Sequence, residues 1–329
     1  MIVCRTPTRI SFFGGGTDYP VWYRENSGMV LSTTINKYSY ITLRYLPKIF
    51  DYKFRIRYFS TEQTQTLDEI KHPSVRECAR NLGVKEGFEV IHHADLPAGT
   101  GLGSSSTFTV GMLHAFYSLN NYMPTKRELA LKAIEIEQEI IGESVGSQDQ
   151  VAAAFGGLNK ISFGGENEFE VDFLILGKDR LVELQENLLL CFTGFARSAS
   201  AIATHQIRET PGKVSELNAM SQLTTEAISA LTNRIAPLDY FGKLLNEQWK
   251  IKRSLTPHVS TPEVDQIYET AMRNGAVGGK LLGAGGGGFM LFYADQSRHA
   301  SIKNSLAEKI FVPFRFEDTG SKVIYYSHE

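Results

Sequence analysis

The sequence predicts an α+β fold in two units, on three observations. β-branched and aromatic runs broken by turn signals fill residues 1–60. Apolar helical stretches follow them. Strands and helices are then mixed without the regular βαβ alternation of a doubly wound sheet. In chain order, turn signals at 14–16, 26–28 and Pro47 divide the first 60 residues into strands, and 88–94 alternates as a further strand. A glycine-rich loop leads into a helix over 105–119. A second helix covers 125–141 behind a capping box of Thr125 and Glu128. Residues 158–163 and 169–176 return to strands. The polar stretch 177–187 precedes a new strand at Leu188, which sets the boundary near residue 185: a first unit over 1–185 and a second over 186–329. The second half reads as strand, helix, long helix (214–230), two helices (239–253 and 262–274), glycine loop, strand (289–294), helix and terminal strand.

Composition excludes several classes. Lys and Arg number 34 against 36 Asp and Glu, a net charge of -2, which argues against nucleic acid as a partner. The three cysteines are widely spaced and form no CxxC pair, so neither a disulfide framework nor a structural zinc site is expected. Buried thiols in a reducing cytoplasm are the plain reading. No apolar run approaches the roughly 20 residues that span a bilayer, and arginines interrupt the apolar N-terminus, MIVCRTPTRISFF, where a signal-peptide core would lie. A cytoplasmic protein without a membrane partner is expected. A homodimer is compatible with the sequence and not demanded by it.

Three glycine-rich segments carry the chemistry. In Pro97-Ala98-Gly99-Thr100-Gly101-Leu102-Gly103-Ser104-Ser105-Ser106, glycines let backbone N–H groups turn toward a ligand with no Cβ in the way. The helix start that follows adds its positive dipole end, making an anion site suited to phosphates. The serines bring hydroxyls for Mg2+ or phosphate oxygens; the structural alternative is a surface loop capped by serine. No Gly-Lys-Ser/Thr closes the segment, so it is not a Walker A loop. It also lacks the third glycine of a dinucleotide fingerprint. In Gly14-Gly15-Gly16-Thr17-Asp18-Tyr19, a carboxylate on a glycine loop is placed to accept from sugar hydroxyls, or else Asp18 forms a hairpin turn. In the third segment, eight of the eleven residues 278–288 are Gly or Ala. Ordering them costs much backbone entropy, so close backbone approach is needed there, for a second phosphate wall or for tight helix-on-strand packing.

Two carboxylates stand out. Wound as an α-helix, 125–141 sets Glu137 at the centre of the apolar arc of Ala130, Ala133, Ile134, Ile140 and Ile141. A carboxylate on a buried face needs a partner, either Mg2+ or an Arg or Lys. Asp149 opens a short helix ended by Gly156 and Gly157, where it complements the helix dipole or serves as a general base for a substrate hydroxyl. The adjacent His92 and His93 point to opposite strand faces and read as structural, and Trp22 and Tyr23 read as core.

The three glycine segments, in order and spacing, resemble the motifs of the GHMP kinases (galactokinase, homoserine kinase, mevalonate kinase, phosphomevalonate kinase), from Thr6 to about Leu291. The resemblance implies an N-terminal domain like a ribosomal-protein module, a C-terminal ferredoxin-like domain, and an ATP- and Mg2+-dependent active site between them. It sets the ATP phosphates on Pro97, Gly99, Gly101, Leu102, Gly103, Ser104, Ser105 and Ser106, and the Mg2+ on Ser105 and Glu137, the choice among the three serines being open. Asp149 matches the catalytic aspartate and Arg9 the basic residue beside the transferred phosphoryl. Asp18, with Gly15, Gly16 and Thr17, matches the sugar-binding loop, and Gly285 and Gly286 are set beside the substrate. Gly15-Gly16 replaces the Glu-His of galactokinases, which argues against galactose. The string RISFFGGGTDYPVWY is similar to that of the D-glycero-D-manno-heptose 7-phosphate kinases, which phosphorylate an anomeric hydroxyl in nucleotide-heptose biosynthesis; fucokinase-type enzymes carry a related version. A phosphorylated sugar needs a cation at its far end, for which Arg197 with Ser198, and Lys37, are candidates. A non-catalytic sensor of the same fold would be expected to lose the base or the metal ligand, yet Arg9, Glu137 and Asp149 are all present.

Overall fold

Two sheets organise the computed structural model, which describes residues 1–196 and 199–327. The first is built from β1 (Ile2–Phe13), β2 (Gly28–Tyr45), β3 (Phe54–Arg57), β4 (Thr61–Thr64), β5 (Phe88–Ala94), β6 (Leu158–Phe163) and β7 (Phe169–Phe173). The second holds β8 (Leu188–Phe192), β9 (Gly278–Leu281), β10 (Phe289–Tyr293) and β11 (Ile310–Phe311). The last strands, β12 (Phe316–Glu317) and β13 (Lys322–Tyr326), return to the first sheet and pair with β2 and β1. The second sheet is antiparallel in the order β11-β8-β10-β9, the βαββαβ pattern of a ferredoxin-like unit.

The long β1–β2 ladder sets the position of the site. Its register shifts between Pro7 and Thr8, where proline has no N–H to give, and again between Ser11 and Phe13. Beyond the first shift, Ile10 and Phe12 enter the core while Arg9 and Ser11 face a cleft.

Eleven helices are described. α1 (Pro20–Asn26) interrupts the expected run of strands: Pro20 is preorganised for the first helical turn, and Trp22 and Tyr23 anchor it in the core. α2 (Pro73–Asn81) covers the first sheet beside α3 (Ser104–Leu119). α4 (Lys126–Ile134) opens with the expected capping box. The chain then widens into a π-helical turn over Glu135–Ile141, closed by Gly142 at φ 76°. This turn departs from the α-helix predicted through 141. It changes the angular register, so Ile140 is 41% exposed instead of sharing the apolar arc of Glu137. α5 (Gln148–Phe155) follows. The polar stretch 177–187 forms α6 (Lys178–Glu186), pinned by buried Leu184. α7 (Ala199–Glu209), α8 (Val214–Thr232), α9 (Asp239–Leu255), α10 (Pro262–Arg273) and α11 (Gln296–Ser305) complete the set.

One apolar cluster joins the two halves. Phe12 and Phe13 meet Phe241 edge-on, with ring centroids 5.5 and 5.2 Å apart, among Leu102, Leu190, Leu282 and Phe289. Cys4, Cys78 and Cys191 are free and buried, and burial pushes the thiols of Cys4 and Cys191 up to about 12, which leaves them unreactive. Among the described residues, no helix is long and apolar enough to cross a membrane.

Candidate active site

The glycine segments converge on one cleft of about 880 Å³ between the two sheets. Gly99, Gly101 and Gly103 all adopt left-handed φ values of 73°, 86° and 74°. A Cβ at Gly101 would stand 2.5 Å from the Leu282 carbonyl oxygen, so only glycine fits. The loop is stitched to both halves: the Leu102 carbonyl accepts from Arg9 N–H at 3.1 Å, and the Thr100 carbonyl from Phe289 N–H at 3.0 Å. It ends at the first turn of α3, where no side chain caps the helix, so the backbone donors of residues 104–106 and the dipole are left for a ligand.

Across the cleft, Arg9 and Asp149 form a bidentate ion pair. Nε donates to Oδ1 at 2.7 Å and Nη2 to Oδ2 at 2.8 Å, while Nη1 donates to the Gly101 carbonyl at 2.7 Å. The pair fixes the Asp149 carboxylate at the mouth of the phosphate loop, against Gly103. Asp18 lies deeper and is 2% exposed. Its Oδ1 accepts from Gly16 N–H at 2.8 Å and its Oδ2 from the Gln148 amide at 2.9 Å. Burial raises its pKa most, Gly16 N–H opposes the rise, and the nearby Asp149 charge adds to it. A Cβ at Gly146 would stand 1.9 Å from Asp18 Oδ2, so the glycine makes room for the carboxylate. Ser11 Oγ and Gln148 Oε1 are buried beside it without hydrogen-bond partners, an unfilled polar lining suited to a polyol.

The π turn delivers Glu137 fully buried to the start of α3. Its Oε2 accepts from Ser106 Oγ at 2.7 Å and from the Gln150 amide, while Oε1 and the nearby Thr109 hydroxyl close no hydrogen bond. Burial pushes its pKa up to about 7 against the pull of the Thr109 and Ser106 hydroxyls. Among the described residues no Arg or Lys pairs with it, so the salt-bridge alternative is not what the structure adopts. An orphaned buried carboxylate oxygen beside serine hydroxyls fits a hard divalent cation. No cluster of three or more His, Cys, Asp or Glu is present among the described residues. Mg2+ takes one or two carboxylates and completes its shell with phosphates and water. The serine touching Glu137 is Ser106, with Ser105 next to it on the cleft wall.

A second cavity of about 810 Å³ adjoins the other side of the phosphate loop, and Pro97 and Leu102 line it. His72 stacks on Phe108 at 4.5 Å and His92 meets the same ring edge-on at 4.9 Å. Burial, then the charges of His72 and His93, lower His92 to about 4, so it is neutral at pH 7. Flat, mostly apolar walls beside a phosphate loop suit a planar heterocycle. His92 is thus a cavity wall as well as a packing residue.

Comparison with known proteins agrees with this arrangement. Two family models match the chain, the GHMP kinases N terminal domain over residues 70–157 and the GHMP kinases C terminal over 228–310. A D-glycero-alpha-D-manno-heptose 7-phosphate kinase of Campylobacter jejuni is 33% identical over 316 residues, covering 93% of each chain. The chain belongs to the GHMP kinases. A bifunctional fucokinase/GDP-fucose pyrophosphorylase of Arabidopsis thaliana is 26% identical over 92% of this chain and 31% of that protein. Among solved structures, a D-glycero-D-manno-heptose 1-phosphate kinase from Bacteriodes thetaiotaomicron superposes with a TM-score of 0.79 at 24% identity, over all of both chains, and so shares the fold.

Several expected residues of this GHMP kinase lie off the cleft wall. Thr17 is buried beneath the glycine loop 14–16 and donates to the Gly14 carbonyl at 2.8 Å. Gly285 and Gly286 pack against Val259, and the cleft wall is formed by Gly283 and Ala284. Lys37 is not among the cleft residues. Arg197 and Ser198 lie outside the described residues. Two buried lysines of the cleft, Lys252 and Lys280, escaped sequence reasoning. A signal for Lys252 existed: it lies on the apolar stripe of α9 with Leu245, Trp249 and Leu255, as Glu137 lies on its own stripe. Lys280 sits in a glycine-rich strand, where nothing in the pattern marks its burial.

Proposed function

We propose that this kinase transfers the γ-phosphoryl group of ATP to the anomeric hydroxyl of D-glycero-D-manno-heptose 7-phosphate, giving the 1,7-bisphosphate. The observation that carries the reading is the Arg9–Asp149 pair, at the junction of a glycine phosphate loop and a buried carboxylate loop in one cleft. In this reading the second cavity receives the nucleoside, and the backbone donors from Gly99 to Ser106 hold the phosphates. Asp18, fixed by Gly16 and Gln148, accepts from sugar hydroxyls. Asp149 orients the attacking hydroxyl and takes its proton, with Arg9 holding the carboxylate in place. Glu137 with the hydroxyl of Ser105 or Ser106 would hold Mg2+, which supplies charge neutralisation for the phosphates. The heptose phosphate is assigned from the relative 33% identical over 93% of the chain and from the Gly15-Gly16 loop. We assign the protein to the cytoplasm on its three buried free thiols.

The test is ATP-dependent ADP release with D-glycero-D-manno-heptose 7-phosphate, L-fucose, galactose and mannose. Turnover confined to the heptose phosphate is expected. Turnover with a free sugar keeps the chemistry and discards the acceptor. ATP binding without turnover on any of the four counts against the reading.

A further inference from the structure

In phosphoryl transfer the acceptor oxygen bonds to the γ-phosphorus, the bond from that phosphorus to the bridging oxygen of ADP breaks, and the hydroxyl proton leaves to Asp149. Charge shifts across the phosphoryl oxygens, and a site that speeds this offers positive charge not already neutralised. Arg9 alone does not meet that condition. Two of its nitrogens are given to Asp149 and the third to the Gly101 carbonyl, so the pair is nearly neutral.

We propose that Lys252 donates to the γ-phosphoryl group during transfer, a catalytic residue supplied by the C-terminal half of the chain. It lines the cleft and is 4% exposed. An ammonium carries three donors. Two of those on Lys252 go to the carbonyls of Leu281, at 3.4 Å, and of Gly283. Among the described residues it pairs with no carboxylate, unlike Arg9. Gly283 packs directly on Gly101, where an added Cβ would stand 2.5 Å from the Gly101 Cα. The carbonyl that holds Lys252 therefore neighbours the residue that holds Arg9, and the two cations bracket the mouth of the phosphate loop. Burial, and after it the charge of Arg9, lowers Lys252 to about 8, which leaves it protonated at neutral pH. The charges of Asp18 and Asp149 act on it in the opposite sense without pairing with it, so the buried ammonium keeps a donor for an arriving phosphoryl group. Lys280, the other buried lysine, gives two donors to the Ser11 and Phe12 carbonyls on β1, and burial lowers it well below the usual lysine range, which disfavours the charged form that transfer requires.

This inference rests on the reading of phosphoryl transfer from ATP, and it is tested with whichever acceptor the wild-type enzyme turns over fastest. Failure of the heptose reading then shows in the wild type, and failure of this inference only in the variants. In Lys252→Met and Lys252→Gln, kcat is expected to fall about 100- to 1000-fold, with KM for ATP and acceptor within about threefold of wild type. Affinity for ADP–aluminium fluoride is expected to fall alongside, while that for a non-hydrolysable ATP analogue holds. A kcat within about tenfold of wild type overturns the proposal. So does a raised acceptor KM at unchanged kcat, which would assign Lys252 to the acceptor's own phosphate. Should both variants fail to fold, a crystal structure of the wild type with ADP–aluminium fluoride and acceptor decides. Lys252 Nζ within about 3.2 Å of a fluoride supports the proposal, and a longer separation overturns it.

Discussion

At the scale of single residues, Glu137, buried behind the cleft wall, and Asp149, on it, differ in environment and so in behaviour. Glu137 is fully buried, and its carboxyl is raised from 4.5 to about 7. Between those values the folded protein holds a proton that the unfolded chain has released, so stability falls as pH rises through that window. Over the whole window the loss is about 3 kcal/mol. In metal-free protein, raising the pH from 5 to 7.5 should lower the melting temperature of the wild type relative to that of Glu137→Gln, which lacks this loss. Asp18 and Glu143 are raised in the same direction, whereas burial lowers His72, His92, His114 and His299 from 6.5 and makes their contribution rise with pH, so the test reads the difference between the two proteins. Asp149 is instead locked to Arg9 and reaches the cleft, its side chain 22% exposed. Asp149→Asn keeps its shape and loses its basicity. Steady-state kinetics should give a kcat lower by about 10²–10⁴ with ATP binding retained, and unchanged turnover would remove the residue from the mechanism. Glu137 was legible from sequence because a charge at the centre of an apolar arc is anomalous along the chain itself, whereas Asp149, an ordinary first-turn aspartate, was singled out only by its resemblance to the family motif. Gln148 was not, since its task is to hold Asp18, 130 residues away.

Among the elements, the two glycine loops work as one. Gly101 and Gly283 both adopt positive φ, and each leaves no space for a Cβ because the other's loop stands there. Gly283→Ala should push the phosphate loop from Leu282 and weaken ATP binding by about tenfold or more, an effect of about 1.4 kcal/mol readable by calorimetry. Gly165 is the control: it too has positive φ, but nothing lies within 4 Å of its Cβ position, so Gly165→Ala carries backbone strain alone. Equal ATP affinity in both variants would mean that the loops are not coupled. Composition announced that close approach was needed at 278–288 without saying against what. The π turn at Glu135–Ile141 was hidden altogether, because the 3.6-residue pattern of its sequence is that of an ordinary helix.

For the whole molecule, the cleft exists because two sheets are held against each other. An apolar cluster around Phe12, Phe13 and Phe241 spans both halves, and Lys280 adds a polar clamp. Its ammonium reaches from β9 to the carbonyls of Ser11 and Phe12, at 2.8 and 2.9 Å, where the β1 register shifts. Lys280→Met leaves both carbonyls without that donor, and urea unfolding should lose about 2–4 kcal/mol. Unchanged stability would show that the bulge holds its shape without the lysine.

The sequence by itself determined the α+β class, the order of most strands and helices, the glycine loop that leads into α3 and the pairing of a second glycine loop with Asp18. All of these depend on residues close along the chain, where periodicity, capping and glycine content act locally. Tertiary structure alone decided that Arg9 would be spent on Asp149, that Ser106 is the hydroxyl on Glu137, and that Gly283 and Ala284 face the cleft in place of Gly285 and Gly286. It also decided that Lys252 and Lys280 of the second half line the cleft. Hydrogen bonds and ion pairs form by proximity in space, and a linear pattern carries no record of which distant donor a folded backbone brings to an acceptor.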